Sequence, residues 1–188
     1  VWPRYNDWVY QFTQSRIAEL SIIKKENAIE LKSLKKYLAM ALNNIGYFQS
    51  DLGNMNQAND SYKQSLKIRL EINDRAGIAE SLNNIGFIYY NQGDVQNALN
   101  YFHQSLKMLE ALDDKLGVAS ALNNIGTVYT DQNEFAQALI FFQQGLEIYK
   151  AIDEKQGVGL SLHNIGSIYE YQGDFETALK YYDESLKI

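Results

Sequence analysis

The sequence predicts an all-α solenoid, in which antiparallel helix pairs stack on one another along the chain. Three observations predict it. The residues LNNIG at 42–46 return at 82–86 and 122–126, and LHNIG follows at 162–166, so one pattern recurs every 40 residues. A fixed period of about 20–50 residues is typical of stacked repeat proteins. Within each period, apolar residues have helical spacing, and short polar turns separate the helical segments.

Each 40-residue unit contains two amphipathic helices. In the unit that begins at Asp74, the apolar residues of the first helix recur at i, i+4, i+7 and i+11, the spacing of one helix face. They are Ile78, Leu82, Ile85 and Tyr89. The second helix has a similar face, made of Val95, Ala98, Leu99, Phe102, Leu106 and Leu109. Helices of about 18 residues that alternate with short joints predict paired helices.

The turns carry residues that end one helix and begin the next. Within a unit, Gly93 of the triplet QGD can adopt the left-handed conformation, and Asp94 can cap the following helix. Asn133 stands in the glycine position of QNE, and asparagine tolerates this conformation best after glycine. Between units the first joint residue is expected to cap the next helix, and the acidic second residue to favour its positive end. Those first residues are Asn73, Asp113 and Asp153.

The period divides the chain into five segments. Residues 1–37 are expected to form an N-terminal helical cap or a degenerate repeat, because counting back 40 residues from Ala58 reaches Ala18 and end units drift from the pattern. Repeats are predicted at 38–73, 74–113, 114–153 and 154–188, the last one truncated in its second helix. The sequence does not begin with methionine and ends within a helical pattern, so we expect a piece of a longer protein.

These repeats resemble the tetratricopeptide repeat, whose pattern places a bulky apolar residue, Gly, Tyr, Ala, an aromatic residue and a small residue at fixed offsets. The unit from residue 74 supplies Leu82, Gly86, Tyr89, Ala98, Phe102 and Ser105. The next unit supplies Leu122, Gly126, Tyr129, Ala138, Phe142 and Gly145. The last unit supplies Leu162, Gly166, Tyr169, Ala178, Tyr182 and Ser185. The first full unit departs from the pattern at Gln49, where the tyrosine belongs.

The resemblance implies a right-handed superhelix of helix pairs. The 40-residue period exceeds the roughly 34 residues of the common repeat. It is similar to the longer variant in kinesin light chains, spindle-orientation adaptor proteins and bacterial sensor proteins. We expect the recurring glycines to face the recurring alanines, so that the two helices of a pair approach closely. The pairs are Gly46 with Ala58, Gly86 with Ala98, Gly126 with Ala138 and Gly166 with Ala178.

A second face of each first helix varies between units except at one asparagine, and we call it the asparagine stripe. It contains Met40, Asn44, Tyr47 and Asp51; Glu80, Asn84, Phe87 and Asn91; Ser120, Asn124, Thr127 and Asp131; and Leu160, Asn164, Ser167 and Tyr171. In the tetratricopeptide family this stripe lines the concave inner groove. The resemblance therefore implies a peptide-binding site made of Asn44, Asn84, Asn124, Asn164, Tyr47, Phe87, Thr127, Tyr90, Asn91 and Tyr171.

The constant asparagine of the stripe has two interpretations. A primary amide has donors and an acceptor, so these side chains could pair with the backbone of an extended peptide. Alternatively, each amide could bond to the adjacent helix and fix the stacking angle. The sequence leaves both interpretations open. The residues before them, Asn43, Asn83 and Asn123, are expected near a solvated rim, because His163 replaces the asparagine in the last unit.

Composition and motif content argue against several functional classes. The net charge is −6 and no stripe of Lys or Arg is present, which disfavours nucleic acid or an anionic membrane as a partner. No apolar run approaches the roughly 18 residues of a membrane helix. His103 and His163 lie in different units and cysteine is absent, so we expect no metal, no cofactor and no catalytic activity. The absence of cysteine favours the cytoplasm and leaves the periplasm open.

We predict a non-catalytic module that binds a protein or peptide segment in the groove, as the docking or sensing part of a larger bacterial signalling protein. The stripe carries Asp51, Glu80 and Asp131 and no Lys or Arg, so the expected partner segment is neutral to basic. The alternative is a structural role, in which apolar surface at a solenoid end mediates self-association.

Overall fold

A computed structural model describes residues 2–22 and 28–188 of the chain. Within these ranges the chain is helical and contains no strand, so the predicted all-α solenoid class is confirmed. The nine helices are α1 (Trp2–Ile22), α2 (Ala28–Asp51), α3 (Met55–Glu71), α4 (Arg75–Asn91), α5 (Val95–Ala111), α6 (Lys115–Asp131), α7 (Phe135–Ala151), α8 (Lys155–Tyr171) and α9 (Phe175–Leu186). None of the described helices combines the length and the apolarity that a bilayer-spanning helix needs.

The 40-residue period has a simple structural origin. Helices α3 to α8 each contain 17 residues, and a three-residue joint separates each one from the next. Two such helices with their two joints therefore return the chain to an equivalent position. Joints of this length connect antiparallel neighbouring helices.

Helix α2 extends further towards the N-terminus than the repeat pattern indicated. It begins at Ala28, so the boundary predicted between residues 37 and 38 lies inside this helix. The residues around that boundary, ELKSLKKYLAM, contain no glycine or proline that would end a helix. The predicted N-terminal cap therefore consists of α1 and the first part of α2, while residues 1 and 23–27 lie outside the described residues.

The chain divides into two compact units, Val1–Gly93 and Asp94–Ile188. In the first unit, α1 packs on α2, α2 on α3 and α3 on α4. In the second unit, each of α5 to α9 likewise packs on its neighbour in sequence. The predicted repeat at 74–113 is divided between the two units.

The core of each unit consists of the predicted apolar helix faces. In the second unit one buried cluster joins α6, α7 and α8, and it contains Ala119, Ala138, Phe142, Leu146, Tyr149, Val158, Leu162, Ile165 and Ile168. In the first unit the buried apolar residues include Leu38, Leu42, Ala58, Tyr62, Ile78, Leu82 and Ile85. These faces fix the rotation of each helix and therefore the direction of its remaining side chains.

The recurring glycines lie against aromatic rings. A Cβ atom placed on Gly126 would be 2.8 Å from the ring of Phe142, closer than any real side chain tolerates. The rings against Gly46, Gly126 and Gly166 belong to Tyr62, Phe142 and Tyr182. Each ring belongs to the aromatic residue four positions after the alanine. At Gly166 the carbonyl oxygen of Ala178 also lies 3.3 Å from the added Cβ, so this glycine faces its alanine as well as the ring. The close approach of the two helices still depends on the missing side chain.

The turn conformations follow the prediction within the 40-residue repeats and differ from it between them. Asn133 has φ 60°, and Gly93 and Gly173 have φ 76° and 80°, so all three adopt the predicted left-handed conformation. Between the repeats, the first joint residues Asn73, Asp113 and Asp153 have positive φ as well. They were expected to cap the next helix, and that expectation was wrong.

The helix caps come one position later in the joints. The carboxylate of Asp74 accepts a hydrogen bond from Gly77 N, and the carboxylate of Asp114 accepts one from Gly117 N. The first joint residue cannot do this, because its left-handed backbone still belongs to the end of the preceding helix. Asp94 and Asp174 cap α5 and α9 in the same way within their units.

Candidate functional site

The asparagine stripe lies on α2 and α4 in the first unit and on α6 and α8 in the second unit. In the first unit its aromatic members are exposed, Tyr47 by 59% and Phe87 by 46%. Asn44 is exposed, and its amide makes no hydrogen bond with any residue that the structure describes. Asn84 is half-buried. These residues therefore present apolar rings and amides on one side of α2 and α4.

The two other predicted residues of the first unit lie at the C-terminal end of α4. The ring of Tyr90, which is half-buried, lies 6.4 Å from the ring of Phe87. Asn91 is exposed, and its Nδ2 donates to the carbonyl oxygen of Phe87 at 2.8 Å. The Asn91 amide is thus engaged by its own helix, which leaves Phe87 and Tyr90 as the accessible apolar pair.

The second unit presents a comparable set on α6 and α8. Asn124 and Asn164 are half-buried, and Tyr171 is 68% exposed. Tyr171 stacks on Phe135 with the ring centroids 5.9 Å apart, so one face of its ring is fixed. Thr127 is half-buried, and its hydroxyl donates to the carbonyl oxygen of Asn123 at 3.0 Å.

Asn43 is buried at the centre of a hydrogen-bond chain between α2 and α4. Its Nδ2 donates to Glu80 Oε1 at 2.9 Å, and its Oδ1 accepts from Asn84 Nδ2 at 2.9 Å. The prediction that Asn43 and Asn123 lie near a solvated rim was wrong, because both side chains are buried between helices. Asn84 therefore bonds to the adjacent helix, as the stacking interpretation expects.

Arg69 on α3 extends this polar network through an ion pair with Glu80. Its side chain is 2% exposed, and its Nη2 lies 2.9 Å from Glu80 Oε2. Its Nη1 donates to Ser81 Oγ at 3.1 Å and to the carbonyl oxygen of Gly77. Ser81 Oγ in turn donates to Ser65 Oγ at 3.4 Å. A buried guanidinium needs such partners, because its desolvation is costly.

The equivalent asparagine pair of the second unit has different partners. Asn123 Nδ2 donates to Ser161 Oγ at 3.0 Å, and the Ser161 hydroxyl lies 3.2 Å from Asn123 Oδ1. The Asn164 amide makes no hydrogen bond with the part of the chain that the structure describes. Asn164 therefore differs from Asn84, although both occupy the same repeat position.

The electrostatics of the stripe differ from the sequence-based expectation at one residue. Glu80 was counted as a free acidic group, but the Arg69 guanidinium pairs with it. Burial, together with the nearby Glu80 and Tyr47, raises the pKa of Tyr62 beneath the stripe to about 12. The phenol of Tyr62 is therefore neutral throughout the physiological range.

Arg69 is the residue that the sequence reasoning missed. The equivalent residues of the next two repeats are Leu109 and Tyr149. A charged residue therefore stands where the later repeats have an apolar or aromatic residue. That departure from the pattern was the available signal. Its partner could not be read from the sequence, because Glu80 was assigned to the exposed stripe.

Comparison with protein-family models identifies the fold family. A tetratricopeptide repeat model matches residues 37–111 and 77–151, and a second tetratricopeptide repeat model matches residues 159–188. The first model alone covers more than half of the chain. The chain belongs to the tetratricopeptide repeat family. Tetratricopeptide repeats form protein-interaction modules, so the partners of this chain are proteins.

Solved structures share the tetratricopeptide fold at low sequence identity. BtubC (BKLC) from P. vanneervenii is 18% identical with a TM-score of 0.71, over 98% of this chain and 88% of that one. Aspartyl phosphate phosphatase F from Bacillus subtilis is 15% identical with a TM-score of 0.78, over 98% of this chain and 51% of that one. A Rap protein complexed with competence and sporulation factor is 18% identical with a TM-score of 0.71, over 96% of this chain and 53% of that one.

The tetratricopeptide chain thus spans about half the length of the phosphatase and of the Rap protein that it matches. Identities in this range establish the fold that the proteins share. A comparison with curated proteins gave no match.

Proposed function

We propose that the asparagine stripe binds an extended segment of a partner protein. The observation that carries the proposal is the exposure of large apolar side chains beside an amide without a hydrogen-bond partner. Tyr47 and Phe87 expose about half of their surface, and Asn44 bonds to no residue that the structure describes. Aromatic side chains dominate protein recognition, and an amide can pair with a peptide backbone in either direction.

The second unit supports the same proposal with a smaller set. Leu160 and Tyr171 are exposed on α8, and the unpaired amide of Asn164 lies between them in the stripe. The stripes of both units therefore combine apolar anchors with a free amide. This combination suits a segment whose side chains vary while its backbone is recognised.

The partner segment is proposed to be neutral to basic. The chain has a net charge of −6, and Asp51 is exposed on the stripe. Arg69 offsets the charge of Glu80, so the acidic bias is weaker than the sequence alone indicated. A moderately acidic face favours a basic segment without excluding a neutral one.

We further propose that the chain is the docking or sensing part of a larger bacterial signalling protein. The similarity to a Rap protein complexed with competence and sporulation factor supports this proposal, because a protein that contains this fold is there complexed with a factor. The phosphatase and Rap chains extend well beyond the part that this chain matches.

The test is capture of partners by the purified chain with matched variants. Asn44→Ala with Asn164→Ala removes the amides that have no internal partner, so a loss of capture cannot be attributed to helix stacking. Tyr47→Ser with Phe87→Ser removes the apolar anchors. Asn100→Ala, an exposed asparagine of α5 outside the stripe, is the control. We expect both double variants to lose partners that the control retains, and equal capture by all of them would refute the proposal.

A second candidate function, self-association through α9, rests on a different observation. Leu179 and Leu186 are 63% and 85% exposed on α9. Of the equivalent residues of α7, Leu146 belongs to the core cluster and Leu139 packs against it. An exposed apolar helix face of this kind can bind a second copy of the chain. Light scattering of the chain and of its Leu179→Lys/Leu186→Lys variant tests this candidate, and a monomeric wild type would remove it.

A further inference from the structure

The orientation of the Asn84 amide is set by a hydrogen-bond chain that ends at Glu80. Asn84 Nδ2 donates to Asn43 Oδ1, and Asn43 Nδ2 donates to Glu80 Oε1, both at 2.9 Å. An ionised carboxylate only accepts hydrogen bonds, whereas a primary amide has a donor end and an acceptor end. Asn43 must therefore turn its NH₂ group towards Glu80 and its oxygen towards Asn84.

The same constraint passes on to Asn84. Because Asn43 offers it an oxygen, Asn84 must offer its NH₂ group in return. Its Oδ1 and its second N–H then remain, and the oxygen accepts no hydrogen bond from any described residue. Asn84 is half-buried, so the oxygen can be reached from the stripe. The amide thus presents an acceptor and has no free orientation.

Arg69 holds Glu80, the residue at the end of this series of hydrogen bonds, in place. Its buried guanidinium, which only donates, lies 2.9 Å from Glu80 Oε2 and holds that carboxylate in place beside Asn43. Ser81 is not available to Asn43, since its hydroxyl accepts from Arg69 and bonds to Ser65. The ion pair therefore sets the donor-to-acceptor direction of the hydrogen bonds that join Asn84, Asn43 and Glu80.

The second unit provides a natural comparison. Tyr149 and Leu160 occupy the repeat positions of Arg69 and Glu80, so the carboxylate is missing there. Asn123 pairs with the Ser161 hydroxyl, which can both donate and accept. Asn164 is not tied to Asn123, and its amide is free to present either end. The two asparagines differ in chemistry although they share a repeat position.

We propose that Asn84 presents its Oδ1 as a fixed acceptor that selects an N–H group of the bound segment, and that Arg69 and Glu80 are positioning residues for it. This inference rests on the proposed function of the stripe. Glu80 is neutralised by Arg69, so the selected group is an uncharged backbone or side-chain N–H. Asn164 accepts or donates, and it imposes no such requirement on the segment.

The orientation is tested first without any ligand, by NMR of the side-chain amides in the wild-type chain. The Asn84 NH₂ protons are expected to exchange with water about tenfold more slowly than those of Asn164, because one of them is hydrogen-bonded. The Arg69→Leu/Glu80→Ser variant introduces the residues found 40 positions later, Leu109 and Ser120. In this variant the difference in exchange is expected to disappear. Equal exchange of Asn84 and Asn164 in the wild type would overturn the proposed orientation.

The selectivity is tested with peptides selected from a phage-displayed random library and synthesised with each backbone N–H methylated in turn. One methylation is expected to weaken binding to the wild type by about tenfold, roughly the contribution of one hydrogen bond. The same methylation should have little effect on Asn84→Ala, while Asn164→Ala should behave as the wild type does. An identical methylation profile for the wild type and Asn84→Ala would contradict the selectivity.

The two proposals fail in distinguishable ways. If the selected peptides bind the Tyr47→Ser/Phe87→Ser variant as tightly as the wild type, the stripe is not the binding face and the proposed function fails. The exchange measurement still decides the orientation of Asn84 in that case. If binding depends on Tyr47 and Phe87, but the effect of each methylation on binding is the same with and without the Asn84 amide, the stripe binds segments and the acceptor role is refuted.

Discussion

Arg69 and Glu80 form a 2.9 Å ion pair in which the guanidinium is 2% exposed and the carboxylate is 54% exposed. The pair is therefore asymmetric, because only the carboxylate can be solvated by water when its partner is removed. Removing one partner of a buried pair is costly when the remaining charge stays buried.

We expect Glu80→Ala to lower the free energy of unfolding by about 1–3 kcal/mol, because it leaves a buried cation without its anion. Arg69→Leu, which introduces the residue found at 109, should cost less, because an apolar side chain suits the buried position. Urea unfolding measures both values. Glu147→Ala, which breaks an exposed 3.9 Å ion pair with Lys150, is the control and should change stability by less than about 1 kcal/mol. An effect of Glu80→Ala no larger than that control would contradict the expectation.

The buried Asn43 and the exposed Asn44 should differ in their effect on stability. Asn43→Ala removes hydrogen bonds to Glu80 and Asn84, so we expect a loss of about 1–3 kcal/mol. Asn44→Ala should change the free energy of unfolding by less than about 0.5 kcal/mol, since its amide has no partner among the described residues. Equal losses in thermal unfolding would show that burial does not distinguish the two asparagines.

The contact between Gly126 and Phe142 predicts a specific overpacking effect. Gly126→Val places atoms within 2.8 Å of the ring and should cost about 1–3 kcal/mol. Phe142→Leu should be less harmful in the Gly126→Val background than in the wild type, because the smaller side chain relieves the clash. A double-mutant cycle by urea unfolding measures this coupling. Strictly additive effects would show that the two residues do not compete for space.

The left-handed turn residues offer sites for stabilisation. Asp153 has φ 56°, a conformation that costs a non-glycine residue energy, so Asp153→Gly should raise the free energy of unfolding by about 0.5–1 kcal/mol. Gly173→Ala, at φ 80°, should lower it by about 1 kcal/mol. Asp153→Ala is the control that removes the side chain without relieving the backbone. If it stabilises as much as Asp153→Gly, the backbone argument is wrong.

Tyr62 predicts a loss of stability at high pH. Its pKa is about 12 in the folded chain and about 10 in an unfolded one. The neutral phenol therefore contributes stability that is fully present below about pH 10 and is lost as the pH rises towards 12. Unfolding of the wild type and of Tyr62→Phe should differ little at neutral pH. At about pH 11 the wild type should be the less stable of the two, and a constant difference across this range would refute the shifted pKa.

Much of the fold could be predicted from local sequence. Residues such as Leu82, Ile85 and Tyr89 identify a helix face by their spacing alone, and Gly93 and Asn133 identify turns by their backbone preferences. These signals depend on residues close together in the chain. The start of α2 at Ala28 lies outside the repeat pattern, so that pattern gives no information about it.

The candidate site could be predicted only in part. The helical wheel assigned Asn44, Tyr47 and Phe87 to an exposed face, where the structure places them. The replacement of the equivalent asparagine by His163 suggested a solvated rim for Asn43, although that side chain is buried between α2 and α4. A wheel describes one helix and contains no information about how the next helix covers it.

The sequence by itself determined the helices, their 40-residue period and the tetratricopeptide repeat family, because helix spacing and turn preferences are local properties. Only the tertiary structure decided which polar groups meet. Arg69, Asn43, Glu80 and Asn84 come from three different helices, and their hydrogen bonds depend on the relative positions of those helices to within a few tenths of an ångström. No local pattern specifies such distances, because packing of the surrounding core sets them.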